Sequence, residues 1–554
     1  MSSQIQQQLH NQPQNERINE PATEGSSQIL TGRKLYLVFT ALLLSMLLTA
    51  LDQTILSTAL PRIASEFNAF SLQGWVSSSF ILAQTIFLLF YGQLLRICSA
   101  KYIMLASITI FEIGSLVSAL APNVHQLIVG RTVSGVGGAG ICELINRLWH
   151  GEYTDRRSQS PQSCRLYLKS PISKTAPVFL ACSVPSLAFH PSWDPSWIFF
   201  LNLPIGGVSL VAVIFLLKAQ PPLGADLSRR TPRDILSQFL RMDFVGAVLI
   251  AGAVTSLVLA LQWGGNTKAW GDSAVIICFI VAFVLAIALV FWEMHLKDRA
   301  LVPTSIFHSR SVYAIILYAF LTRFTLLLFA YYIPIFYQAV RHRTATNSAV
   351  HLLPFLFGAI LSAIASGQIA SMTGYYFPFL VGAPFFLAIG SGLLYTLNTT
   401  TPVSRIIGFQ ILAGIGTGLG MQNSLVAMQA EFKDTPRLLG QATSMAAFGQ
   451  FFGGTMGLGV AEPVFSSQLT KYLRKYAPEA PASVVRESPT NIYTELPQEM
   501  IPGVVRSYTE ALRVVFVVGV PVAGLALIAS LFIKNIRITK EVVERPLELE
   551  KTEA

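Results

Sequence analysis

Between Lys34 and Ile533 the chain repeats one pattern, a long apolar segment about the length of a bilayer span followed by a polar break. A helix needs roughly 20 apolar residues to cross about 30 Å of hydrocarbon, and about fourteen segments meet that requirement. They run 35–56, 74–94, 102–121, 126–146, 173–190, 196–217, 243–263, 273–293, 311–338, 348–371, 375–397, 404–428, 438–465 and 511–533. Of 554 residues 52% are hydrophobic and only 12% charged, and the mean hydropathy is +0.54. A water-soluble domain of ordinary size cannot bury that much apolar surface. The expected fold is an all-α polytopic membrane protein working across or within a bilayer.

The formal charge is +10. In this setting it reads as topology and not as a nucleic-acid surface, because Lys and Arg gather in short loops that stay cytoplasmic. The Arg229-Arg230, Arg233 and Arg241 cluster places the 218–242 loop inside, and both termini come out cytoplasmic. Residues 1–33 are Gln-rich and lack a signal-peptide design, so a disordered cytosolic tail is expected, with a second tail at 534–554. Asn398-Thr399-Thr400 is a glycosylation sequon in a predicted outside loop. The polar, proline-rich stretch 466–510 reads as a long outside loop. The five cysteines show neither metal spacing nor a disulfide framework, and no cofactor is expected. The lipid bilayer is the expected environment, and no obligate protein partner is inferred.

Ionisable groups inside spans are costly and default to functional candidates. Asp52 closes the first span, where an acid can take up and release a proton or simply bond to neighbouring helix termini. Arg131 opens the fourth, where its fork can hold a carboxylate or act as a structural hydrogen-bond hub. Arg323 lies mid-span, too central to snorkel easily, and Glu112 lies in the third span as a packing or gating partner. Gln422, Asn423 and Gln429 place amides along one helix and, with Arg323, are candidates for the lining of a substrate cavity or for interhelix hydrogen bonds. The runs Gly135–Gly140 and Gly414–Gly420 lie inside spans, which excludes a dinucleotide loop and favours close helix packing. The sequence has no Walker lysine motif, so an ion gradient is the expected energy source.

These residues carry a family resemblance. Leu51-Asp52-Gln53-Thr54-Ile55-Leu56, continued by Ala59 to Ala64, resembles the first-helix motif of the fourteen-span drug:proton antiporters of the major facilitator superfamily. Arg131 to Gly140 is similar to that family's fourth-helix motif and Asn202-Leu203-Pro204-Ile205-Gly206-Gly207 to its sixth-helix motif. Tyr331–Gln338, Gly374-Tyr375-Tyr376 and Gly414–Gln429 resemble fungal members that export toxins and other secondary metabolites. The resemblance implies two six-helix bundles, at 34–217 and 311–533, with two inserted helices within 218–310. It also implies alternating access, a small organic substrate, protons as the coupled partner, and a coupling role for Asp52 and Arg131. A plasma-membrane location is expected, with the vacuolar membrane as the alternative.

Two departures stand out. In the loop after span two, Gly92 to Lys101, Arg96 stands where the family's gating aspartate belongs and Ser99 where its turn glycine belongs. From Glu152 to Ile205 there is no glycine, and the fifth span, short and broken by Pro185, lacks the family's Gly-Pro-x-x-Gly-Gly. An out-of-frame or intron-derived stretch over roughly 147–196 is expected, with tolerated variation as the alternative, and irregular helix is expected around 150–195 with regular helices before and after. Beside proton-coupled efflux, two readings stay open: a degenerate, non-transporting paralogue, and an uptake carrier such as one for iron chelates.

Overall fold

The computed structural model describes residues 44–50, 52–53, 72–149, 197–217, 237–433, 435–481, 485 and 492–537. Regular structure among them is helical, since a chain in hydrocarbon must satisfy each N–H and C=O within its own segment. Helical residues 44–50 and 52–53 precede α1 (Gln73–Ile97), α2 (Ala100–Ala119), α3 (Val124–Trp149), the single turn Trp197–Phe200, and α4 (Asn202–Leu216). Then come α5 (Phe244–Trp263), α6 (Ser273–Leu296), α7 (Arg310–Ala339), α8 (Ala345–Thr373), α9 (Phe377–Tyr395), α10 (Val403–Glu431), α11 (Pro436–Tyr476), α12 (Ile501–Val517) and α13 (Gly519–Leu531).

Ten helices among the described residues are long and apolar enough to span a bilayer, with α12 and α13 forming one of them, Ile501–Leu531. The sixth expected span appears as the turn at Trp197 followed by the shorter α4, and the thirteenth lies within α11. The fifth expected span, most of the first, Arg156-Arg157, Arg229-Arg230, Arg233 and the stretch 150–196 lie outside the described residues.

The stretch 466–510 differs from its reading as a loop. The helix α11 runs on to Tyr476, and α12 already starts at Ile501. Leu469 and Leu473 are buried, one helical turn apart, so the helix continues as an amphipathic extension after its hydropathy has fallen. In α12, Val504, Tyr508, Ala511, Leu512 and Val515 form the matching inward stripe.

The helices gather in two groups. In the first, α3 packs against both α1 and α2, and α4 packs on α2. In the second, α10 lies between α8 and α9, while α7 and α12 pack on α11. The groups meet where α1 crosses α11, and α5 lies beside both at that seam. The helix α6 packs on α5 and turns most of its surface outward. Only 11% of its most apolar stretch is buried, against 72% for α1, with Phe283 and Phe291 among the bare side chains. A surface so apolar and so open is made for lipid.

One buried knot ties this pair to the seam. Asp243 caps α5 by accepting from Gly246 N at 2.7 Å, and it also accepts from Trp292 Nε1 of α6 at 2.8 Å and from Leu301 N at 3.3 Å. Gln93 of α1 donates to the carbonyls of Arg299 and Ala300 at 3.2 and 2.9 Å.

Candidate functional site

Asp52 and Arg131, apart in sequence by 79 positions, meet as a buried ion pair, with Arg131 Nη1 donating to Asp52 Oδ2. Asn202, in the first turn of α4, donates through Nδ2 to Asp52 Oδ1 at 3.2 Å and lies 3.3 Å from Ser115 Oγ of α2. All three residues are 1% exposed. The guanidinium lies 4.6 Å from the Phe80 ring and 5.9 Å from that of Phe199, and its Nε reaches Val76 O at 3.4 Å. Two aromatic faces and a carbonyl thus take up the parts of Arg131 that Asp52 leaves.

Glycines make this approach possible. A Cβ on Gly135 would strike Phe80 O of α1, and one on Gly137 would strike Phe111 N of α2. The fourth-span run therefore lets α3 lie against two neighbours at backbone distance, as small-residue interfaces do in membranes. Gly414, Gly416 and Gly418 do the same for α10 against Phe355 O of α8, Leu387 N of α9 and Ala359 O of α8. Gly206 of α4 lies directly on the carboxylate of Glu112. Both Glu112 oxygens are sealed from solvent without a hydrogen-bond donor among the described residues, and the group lies within electrostatic reach of Asp52.

A polar seam joins the two groups. Gln53 donates to Gln84 Oε1 at 3.1 Å, and Gln84 Nε2 reaches Cys142 Sγ at 3.1 Å and Gly138 O at 3.4 Å. Thr85 and Thr455 lie 3.2 Å apart across the seam. From the second group, Tyr331 of α7 comes within electrostatic reach of both Asp52 and Arg131 and packs among first-group residues. Arg323, near the middle of α7, lies with Met421 Sδ 3.3 Å from Nη1 and Phe451 under the guanidinium at 5.1 Å.

The three amides of α10 diverge. Asn423 is fully buried and donates to Ser366 Oγ at 2.9 Å and Leu419 O at 2.7 Å, so it joins α10 to α8. Gln422 and Gln429, two helical turns apart, share one partly exposed face.

At the end of the bundle where α1 finishes, a Cβ on Gly92 would lie 3.0 Å from Ser444 Oγ of α11. Ser444 Oγ donates to Glu143 Oε1 of α3, so an acid of the first group holds the second group here. Arg96 is exposed, and Lys101 Nζ caps the end of α4 through Ile214 O at 2.7 Å. Asn398 lies on an exposed turn between α9 and α10, closed by its N–H to Thr401 Oγ1 at 2.9 Å.

The Major Facilitator Superfamily model matches residues 42–458. The chain belongs to the major facilitator superfamily. This superfamily member is a multi-pass membrane transporter of small molecules. It is 35% identical over 508 residues to the efflux pump mlcE of Penicillium citrinum, covering 90% of each chain. It is 33% identical over 494 residues to the MFS-type transporter opaD of Aspergillus ustus, covering 89% of this chain and 82% of the relative. The aspyridones efflux protein of Neocamarosporium betae is 32% identical over 536 residues, covering 93% and 90%. In fold the superfamily member is similar to a bacterial homologue of the human lysosomal transporter Spinster, inward-facing and unoccupied. That match has a TM-score of 0.59 at 15% identity over 91% of this chain and 98% of the other. A D-xylose–proton symporter gives 0.54 at 11% identity over 92% and 99%.

The superfamily motifs at Asp52, Arg131 and Asn202 converge on one cluster. The rest of the first-helix motif, residues 54–64, lies outside the described residues. Asn202 and Tyr331 were legible only as motif letters. Their partners lie on other helices, and no spacing along the chain points to them.

Proposed function

We propose that this transporter exports a small organic molecule, of the toxin or secondary-metabolite class, by alternating access coupled to proton entry. The observation that carries the reading is the Asp52–Arg131–Asn202 cluster, sealed from water and approached by Tyr331 of the opposite group. A carboxylate held by an arginine and an amide has two stable arrangements. It is either ionised and clamped, or protonated and released from the guanidinium. Release of Arg131 would loosen the contact with α7 and so link protonation to movement of one group against the other. The names of the relatives, efflux pumps among them, support the outward direction.

The same reading divides the chain into a first bundle at 34–217, a linker with two helices at 218–310 and a second bundle at 311–533, with tails at 1–33 and 534–554. The packing of α5 beside both groups supports it. Arg323, Gln422 and Gln429 are assigned to the substrate path, Asn423 to its support, and Gly92, Arg96 and Lys101 to the cytoplasmic gate. The termini are placed in the cytosol and the protein in the plasma membrane. The test is efflux of a preloaded fluorescent substrate from cells expressing the chain, with and without a protonophore. Export that persists unchanged when the proton gradient is collapsed would remove the coupling.

A further inference from the structure

Arg131 and Arg323 are both intramembrane arginines, and they are treated in opposite ways. Arg131 has an amide-braced carboxylate, two rings and a carbonyl. Arg323 has Met421 Sδ and the face of Phe451. A thioether is a weak acceptor, and a guanidinium carries five N–H donors. Its Nε is sealed from solvent with no acceptor among the described residues. The ion pairs among the described residues are Arg131–Asp52, Lys268–Asp272, His308–Glu431, Arg513–Glu510 and Lys534–Glu431, and none includes Arg323. The residue as a whole stays partly exposed.

An uncompensated guanidinium at mid-membrane is expensive, and the protein could have removed the cost with one acid on α10 or α11. It places Cys142 of the opposite group within electrostatic reach instead. The ring it meets is Phe451, on the same helix as Phe448 and Phe452, which stack on each other at 5.8 Å. Positive charge next to flat apolar faces, at the seam between the moving groups, is complementary to a ring-bearing organic oxyanion.

We propose that Arg323 docks the oxyanion, a carboxylate or phenolate, of an aromatic organic acid whose ring lies against Phe451. The proposal rests on the efflux reading only for the direction of travel. The binding step stands by itself. A cationic cargo would be repelled here, and a neutral one would leave the guanidinium uncompensated.

The test uses the purified full chain in lipid nanodiscs with two probes, fluorescein as the anion and Nile red as the neutral reference. Binding is read by fluorescence polarisation. In Arg323→Gln the ratio of fluorescein to Nile red affinity should fall at least about tenfold, the loss of one charge-assisted contact, and Arg323→Lys should fall between Gln and the native protein. An unchanged ratio in Arg323→Gln, or no fluorescein binding by the native protein, would overturn the proposal. The native protein supplies a second readout that needs no variant. Displacement of fluorescein should be at least about tenfold stronger with 2-naphthoate than with 2-naphthalenemethanol, again one charge-assisted contact. Equal displacement would also overturn it. Selective binding without any export from cells would leave this site standing and remove the efflux reading, so the two fail separately.

Discussion

Asn202 donates to Asp52 at 3.2 Å from the first turn of α4, so the amide that opens one helix braces an acid of another. The bond fixes which Asp52 oxygen is left for Arg131, and it ties α4 to the helical residues 52–53 through a single charged group. Ser115, 3.3 Å from the same amide, brings in α2. Four helices therefore feel the charge state of one carboxyl group.

Asp52→Asn should abolish gradient-driven efflux while leaving membrane expression intact. The asparagine can still meet Asn202 and Arg131 but cannot exchange a proton. Efflux rates in cells normalised to surface protein are the check, and undiminished export by the mutant would dismiss Asp52 as a coupling group.

Arg131→Lys should keep less than about a tenth of native efflux, because an ammonium cannot lie between the Phe80 and Phe199 faces and hold the carboxylate as a planar fork does. Equal activity of the lysine and native proteins would reduce the site to a point charge.

Asn202→Ala removes a hydrogen bond to a charged group, worth about 1.5–3 kcal/mol. The expected outcome is a loss of at least about tenfold in efflux with a displaced pH profile of transport. A change in rate with the pH profile unmoved would assign Asn202 to folding alone.

Gly414→Val should lower thermal stability in detergent, because even its Cβ meets Phe355 O and Ala359 N across the helix contact. Overpacking of this kind costs about 1–3 kcal/mol. Gly382→Ala supplies the control, since nothing lies within 4 Å of its added Cβ. Equal melting of the two variants would show that the glycine run is not needed for packing.

Cysteines placed at Glu143 and Ser444 and joined by a bifunctional thiol reagent should arrest export, with recovery on reduction, because that hydrogen bond spans the two groups. Full export by the cross-linked protein would mean that this end does not open during the cycle.

Asp52 and Arg131 were legible in the sequence because charge is rare in apolar segments, whereas their pairing was not, since no periodicity links positions so far apart. The glycine runs were legible as packing, and the contacts of Gly135 and Gly414 follow that reading. Asn423 was grouped with Gln422 and Gln429 as amides of one helix. The phase of the helix separates them, turning Asn423 inward to Ser366. The end of α11 was misplaced because hydropathy declines at 466 while the Leu469–Leu473 stripe keeps the helix packed. Arg96, which stands where the resemblance puts an acid, is exposed, and the acid that contacts α11 at this end is Glu143 of α3.

The bare flank of α6 has a practical consequence at the bench. Among the described residues no protein covers Phe283, Phe291 and their neighbours, so whatever solubilises the chain must replace an annulus of acyl chains along that helix. Short-chain detergents that shield the compact groups well will leave this flank thinly coated. Preparations are then expected to clump through α6 first, with the transport machinery still folded inside the aggregate.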